Sequence, residues 1–324
     1  MSLVQEIVAR FGLGARDVAR LIESAPARYK VYDIPKRRGG SRTIAHPAKE
    51  LKLIQRFIVD NKLSAFKIHK MAMGYVKKRN ILANAVMHRE NDAILKLDFS
   101  EFFPSIRVAD WEHFARANPV DCIDRAEIRI YSKILFWGLY RKSAVPSCLA
   151  IGAPSSPILS NILLFDLDTT LSTRATEFGV VYTRYADDIT ASADTIEQLE
   201  RFERATRRTI RAMRHPRLTL NEEKRGLYLR GQRRMVTGLI VTPTQEISIG
   251  RGRKRLISAM LHRASLSVLG KAEMGRLKGL LGFCLATEPA FIGRMRAKYG
   301  DDVIERVLRF RVAKRRDLEE ENED

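Results

Sequence analysis

Three carboxylates stand where chemistry is possible. Asp98 ends the apolar run Ile94-Leu95-Lys96-Leu97-Asp98, and Asp187 and Asp188 are adjacent in Tyr185-Ala186-Asp187-Asp188. Neighbouring carboxylates flanked by apolar segments repel each other, and burial worsens the repulsion. They are tolerated when they hold divalent cations. Hard oxygen donors suit Mg²⁺, which takes one or two carboxylates together with waters and substrate phosphates. Two such ions about 3.5–4 Å apart activate a 3′-hydroxyl and stabilise a pyrophosphate leaving group. An Asp-Asp pair alone is weak evidence, because most such pairs are turn or helix-start acids. Here the flanking segment Tyr182–Ser192 alternates as a hairpin and sets the pair at its tip, with a strand-borne Asp earlier in the chain.

The elements that must position these acids follow from periodicity. Residues 3–25 read as two short helices, and Tyr29–Pro47 as a hairpin with the cationic tip Lys36-Arg37-Arg38-Gly39-Gly40. Leu51, Ile54, Phe57, Ile58 and Leu63 form a helical stripe. Ala93–Phe99 is a buried strand, and Trp111–Asn118 and Ala126–Trp137 are helical. After a Gly/Pro/Ser-rich loop at Pro146–Pro157, Ile158–Thr176 reads as one apolar helix. Thr195 caps a basic helix that runs to about His215. Val236–Ile249 is strand-like, and Gly250 to about Lys314 is helical throughout. The fold class is α+β. One boundary stands out, between a mixed region over 1–249 and an all-helical region over 250–314, followed by an acidic tail over 315–324.

Among 324 residues, 58 Lys+Arg face 38 Asp+Glu, a formal net charge of +20. Arg201–Met235 carries twelve Lys/Arg and three acids, and Gly250–Lys278 eight and one. Such density points to a polyanion, because each neutralised phosphate releases a counterion. Three cysteines without a CxxC pair exclude a disulfide scaffold and disfavour a zinc ribbon. No apolar run reaches the roughly 20 residues a membrane span needs, and Met1–Gly14 lacks a signal-peptide pattern. The expectation is a reduced, cytoplasmic protein with no membrane partner.

With these residues in view the sequence resembles a known family. Tyr185-Ala-Asp-Asp188 after an aromatic strand, preceded by Leu97-Asp98-Phe-Ser-Glu-Phe-Phe-Pro-Ser105, resembles the palm of reverse transcriptases. Gly152-Ala-Pro-Ser-Ser-Pro157 looks like that family's template–primer loop. Asn84-Ala-Val-Met-His88, Val236-Thr-Gly238 and the basic hairpin Ile34–Ile44 are similar to elements of retron reverse transcriptases. The motifs occur in the family's order from about residue 29 to 313.

The resemblance implies a right-hand polymerase, with fingers and palm built from an antiparallel sheet plus helices, and an all-α thumb. It implies that Asp98, Asp187 and Asp188, with Phe99 beside them, hold two Mg²⁺ ions. Phe103 matches the gate that excludes a ribose 2′-hydroxyl, although taken alone it also fits a core aromatic, as Phe102 does. Lys36 and Arg42 match cations that hold the dNTP triphosphate, where charge develops on the leaving phosphates. Phe99, Gly152 and Ala153 fall among the substrate-binding positions. Lys224 matches a proposed proton donor to pyrophosphate, and also reads as one of many surface lysines. Asn84, His88, Val236, Thr237 and Gly238 match nucleic-acid contacts, Gly238 within the primer grip. In the thumb, Met260, Leu261, Ala264, Leu266, Leu269, Leu277, Leu280, Leu281, Phe283 and Phe291 would supply the core. Arg251, Arg253, Lys254, Arg255, His262 and Arg263 would face an RNA–DNA duplex, read by shape. One position departs from the pattern: Ile151 stands where the family usually has Gln before the loop glycine.

The activity implied is synthesis of multicopy single-stranded DNA from a cognate structured non-coding RNA. Priming from an internal guanosine 2′-hydroxyl would leave a branched RNA–DNA product. The setting implied is antiphage defence with a separate effector protein. After Gly300 there is too little chain for an RNase H domain, so a host RNase H is the expected partner for trimming the template. Two other readings stay open here: another defence-associated or intron-type reverse transcriptase, and a weakly catalytic RNA-binding scaffold for an effector. The short thumb, with no maturase or endonuclease region after it, speaks against an intron protein.

Overall fold

The computed structural model describes residues 1–36, 39–139 and 143–311. Arg37 and Arg38 of the hairpin tip, positions 312–314 of the expected thumb and the acidic tail at 315–324 lie outside the described residues. The chain divides into two compact units, Met1–Asn80 with Asn91–Leu229, and Ile81–Glu90 with the chain from Arg230 onward. The division falls at 229/230 rather than at 249/250, where the pattern turns all-helical. Among the described residues the short strands after Arg230 pair only with one another, and they pack on the helix Ile81–Met87.

In the first unit, β1 (Tyr29–Pro35) and β2 (Ser41–Pro47) form the expected hairpin. The central sheet contains β3 (Ala93–Asp98), β4 (Val181–Tyr185), β5 (Asp188–Ala193) and β6 (Gly226–Leu229), in the order β4-β5-β3-β6. All its pairings are antiparallel. β3 and β5 are the inner strands and are buried almost along their length; β3 reads as an apolar run, while β5 fills its buried positions with Ile189 and with small or hydroxyl side chains. The helix Ile196–Ala212 packs across them and buries Leu199, Phe202, Thr206 and Ile210, a single stripe at helical spacing. Thr195 starts it with a capping box, its hydroxyl accepting from the amide of Gln198.

The apolar stretch expected as one helix is two, Ser156–Leu163 and Phe165–Glu177. Every residue from Leu159 to Leu164 is buried, so the first helix is enclosed on all sides. The second buries only the stripe Leu167, Asp168, Leu171 and Ala175. The helical geometry breaks at Leu164, which has φ −98° and ψ 11°.

In the second unit, β7 (Arg234–Val236), β8 (Leu239–Val241) and β9 (Ile247–Ser248) form a three-stranded sheet. Among the described residues four helices follow, Arg251–Ser265, Lys271–Thr287, Pro289–Tyr299 and Asp301–Arg309. Met260, Leu261, Ala264, Leu277, Leu281 and Phe291 are buried as expected. Leu266 is not: it is 60% exposed. Its helix has ended at Ser265, and Ser267 turns the chain at φ 59°. Among the described residues no helix is long and apolar enough to cross a membrane. All three cysteines are free thiols.

Candidate active site

Asp98 and Asp188 are register partners at the end of the β3–β5 ladder. Asp187 sits in the two-residue turn that joins β4 to β5, because Tyr185 pairs with Asp188. The Phe99 amide donates to the Asp187 carbonyl at 3.1 Å, which ties the turn to the chain leaving β3. Three carboxylates distant in sequence are thus brought to one sheet end.

Burial raises the pKa of Asp187, and the charges of Asp98 and Asp188 raise it further. Burial also raises Asp188, with Lys96 opposing the shift. Two lysines offset the concentrated charge. Lys224 Nζ donates to Asp98 Oδ1 at 2.6 Å, and Lys96 Nζ to Asp188 Oδ2 at 3.1 Å. Among the described residues no three His, Cys, Asp or Glu groups form a ready-made ligand cluster. The donor set nevertheless suits divalent cations. It is all hard oxygen, and the lysines mark where positive charge is required.

Lys224 is placed by a device the sequence did not reveal. The Asn221 amide donates to the Asp98 carbonyl at 2.7 Å, and the Asn221 side chain caps the short turn Glu222–Lys224. Beneath it Glu203 accepts from Arg207 at 2.8 Å and Arg225 at 2.7 Å, and Arg207 also reaches Glu222 at 2.6 Å. Against the penalty of burial, these hydrogen bonds hold the Glu203 carboxyl below the usual carboxylate range. The basic density of this segment is therefore partly internal wiring.

Phe102 is buried and stacks on Phe99, while Phe103 is only partly buried and rests against Phe102 with ring centroids 5.2 Å apart. The two rings thus separate into a core residue and an available one. The Phe99 ring is also core, so only its main chain can serve a metal or substrate. Lys36 Nζ reaches Glu101 Oε1 at 3.3 Å, and Arg42 is exposed on β2. A cleft of about 810 Å³ runs between this hairpin and the palm, with Tyr29, Thr43, Glu101, Pro104 and Ile151 in its walls. Gly152 has φ 121°, and a Cβ there would lie 3.0 Å from the Ala45 carbonyl, so glycine is required. The Ile151 carbonyl accepts from the Ala45 amide at 2.9 Å, joining loop to hairpin. Ala153 is buried with Ala45, Trp137 and Cys148.

In the second unit Asn84 and His88, which the resemblance matches to nucleic-acid contacts, are fully buried. Asn84 lies on the helix Ile81–Met87 and His88 just after it, and a short motif does not reveal that both turn inward. Val236 is buried as well. Thr237 and Gly238 form the two-residue turn between β7 and β8, at φ 45° and 84°. Positive φ at both central positions matches the twist of a tight hairpin. For the β-branched Thr237 it is strained, and its hydroxyl is anchored on the Ile81 carbonyl at 3.2 Å. Arg253 donates to the Gly238 carbonyl at 2.9 Å. Lys254 is committed to Glu288 at 2.6 Å and Arg263 to Glu273. Arg251 and Arg255 are exposed, with no carboxylate partner among the described residues.

A four-stranded antiparallel sheet with a carboxylate at the end of an inner strand, an Asp-Asp turn on its neighbour and helices behind it defines the palm of a right-hand polymerase. Residues 34–270 match the family model "Reverse transcriptase (RNA-dependent DNA polymerase)". The chain is 34% identical over 291 residues to the retron Ec83 reverse transcriptase of Escherichia coli, covering 90% of this chain and 93% of that protein. It is 31% identical over 300 residues to the retron Ec73 reverse transcriptase of the same organism, with the same two coverages. In fold it is similar to telomerase from Candida albicans, with a TM-score of 0.50 at 12% identity, over 82% of this chain and 56% of that one. The chain belongs to the reverse transcriptase family and, within it, to the retron reverse transcriptases. It is an RNA-directed DNA polymerase.

Proposed function

We propose that this polymerase copies a cognate structured non-coding RNA into multicopy single-stranded DNA, leaving a branched RNA–DNA product. The observation that carries the reading is the opposition of Asp98 and Asp188 with Asp187 in the adjoining turn. Two Mg²⁺ ions held by Asp98, Asp187, Asp188 and the Phe99 carbonyl would activate the primer hydroxyl and neutralise charge at the leaving pyrophosphate. Lys36 and Arg42 bind the dNTP triphosphate from the hairpin. Phe103 lies against the sugar and excludes a 2′-hydroxyl. Lys224, already hydrogen-bonded to Asp98, gives a proton to the departing pyrophosphate. Residues 1–249 serve as fingers and palm and 250–314 as thumb, with Arg251 and Arg255 on duplex phosphates. The enzyme acts in the cytoplasm within an antiphage system that includes a separate effector, and a host RNase H trims the template. Retron relatives over most of the chain support this reading.

The test is to purify the full chain from cells carrying its neighbouring genomic DNA and to examine the bound nucleic acid. The reading expects single-stranded DNA that shortens, without disappearing, on RNase treatment. Bound RNA with no DNA, from a protein that also fails to extend a DNA primer on RNA with Mg²⁺, would show a scaffold instead.

A further inference from the structure

Arg184 and Asp168 are both completely enclosed. The guanidinium grips the carboxylate with two bonds, Nε to Oδ1 at 2.8 Å and Nη2 to Oδ2 at 2.6 Å. The Tyr182 hydroxyl donates to the same Oδ1 at 2.7 Å. Burying two charges costs several kcal/mol per ion, and an apolar pair of similar volume is often as stable or more so. Stability alone therefore does not account for the pair.

Its remaining contact does. Arg184 Nη1 donates to the Ala186 carbonyl at 3.0 Å. Ala186 begins the turn that carries Asp187, is buried, and has φ 56°, a region that residues with a Cβ avoid. The opposite side of the turn is also held. The Arg184 main chain bonds to Met71 and Met73 at 2.9 and 2.7 Å. This brings Gly74 so close that a Cβ there would lie 2.9 Å from the Ala186 nitrogen. The buried Asn161 amide fixes the Gly74 carbonyl at 2.9 Å. A strained residue, Ala186, is thus clamped at its nitrogen by packing and at its carbonyl by a charged donor, and the charge of that donor is balanced by Asp168. Strained backbone persists only where its surroundings over-determine it.

We propose that Arg184, oriented by Asp168 and Tyr182, is a positioning residue for nucleotidyl transfer, fixing the Ala186 peptide and with it the directions of Asp187 and Asp188. The inference rests on the reading of those two acids as the reactive carboxylates. A misplacement of about 1 Å can cost up to about 100-fold in rate, and the guanidinium bonds directly to the Ala186 carbonyl of this turn.

The test uses the full chain with Asp168→Leu/Arg184→Met, which removes charge and clamp while keeping an apolar filling, and with Arg184→Lys, which keeps a cation but not the fork. Three quantities are measured: thermal midpoint, single-nucleotide kinetics, and hydrogen–deuterium exchange of the peptide spanning 182–190. The expected result is a midpoint close to wild type for at least one variant, kcat lower by about 10–100-fold, dNTP KM changed less than about threefold, and faster exchange confined to the turn. Wild-type kcat and wild-type exchange in a folded variant would overturn the proposal. So would equal loss of exchange protection throughout the first unit, because the pair would then be a general structural element. Asp187→Asn is run in parallel. If it extends primers normally, the site reading has failed; if it is inactive while the Arg184 variants are normal, only the positioning role has failed.

Discussion

Asp98 and Asp188 face each other across the last rung of β3 and β5, and each is held by a lysine, Lys224 and Lys96 respectively. Like charges directly opposite in a sheet are destabilising. Here the lysines compensate them, and in the reaction cations would take that place.

Replacing Asp187 and Asp188 together by Asn should abolish DNA synthesis while RNA affinity changes less than about threefold. The substitution removes the ligand charge and leaves the basic surfaces intact. Primer extension and filter binding on the same preparation check it. Extension at the wild-type rate would remove these acids from the mechanism.

Phe103→Ala should relax sugar discrimination. The ring rests on Phe102 and is only partly buried, so truncation should cost about 1–3 kcal/mol of stability without unfolding the palm. The ratio of dNTP to rNTP incorporation is the measurement. An unchanged ratio would mean that Phe103 is packing alone.

Ile151→Gln should not raise the incorporation rate, although it restores the residue usual in the family. Ile151 lies in the cleft wall beside Leu149 and Pro104, and its carbonyl already anchors Ala45. An amide placed against that apolar wall loses about 1 kcal/mol or more unless it finds a partner. Single-nucleotide kinetics with a thermal melt decide the matter. A clear gain in rate at unchanged midpoint would show an ordinary palm loop missing one hydrogen bond.

His88 gives the protein an acid limit. Burial lowers its pKa from 6.5 to about 3, so the native state holds it neutral while the unfolded chain binds a proton below 6.5. This contribution is complete above pH 6.5 and is lost progressively as pH falls toward 3. At about 1.4 kcal/mol per unit, moving from pH 7.5 to 5 should remove roughly 2 kcal/mol. Urea unfolding of wild type and His88→Gln at both pH values tests it. The variant should lack this component, and equal pH dependence in the two would assign the acid sensitivity elsewhere.

The meeting of Asp98, Asp187 and Asp188 was readable because its signal is local. A strand that ends in Asp98, a hairpin with Asp187 in its turn and Asp188 opening β5, and a Thr195 cap are each specified within a few residues, and period-two alternation fixes the register that makes Asp98 and Asp188 meet. The basic hairpin and the helical C-terminal region were likewise written in short-range pattern and charge. What surrounds the acids was not. That Asn84 and His88 are buried was not legible, because inside and outside of a seven-residue helix and of the residue that follows it are set by what packs on them. Lys254 reads as one more basic residue, but Glu288, brought close by the folding of later helices, claims it. Arg184 and Asp168 lie on a strand and a helix that each look ordinary alone. Only the stacking of that helix on the sheet excludes water from both charges and aims the guanidinium at the Ala186 carbonyl. Local sequence determined which acids meet at the sheet end. Long-range burial decided which other polar groups remain on the surface and which are drawn inside, because the cost of desolvating a charge depends on neighbours that come together only in the folded chain.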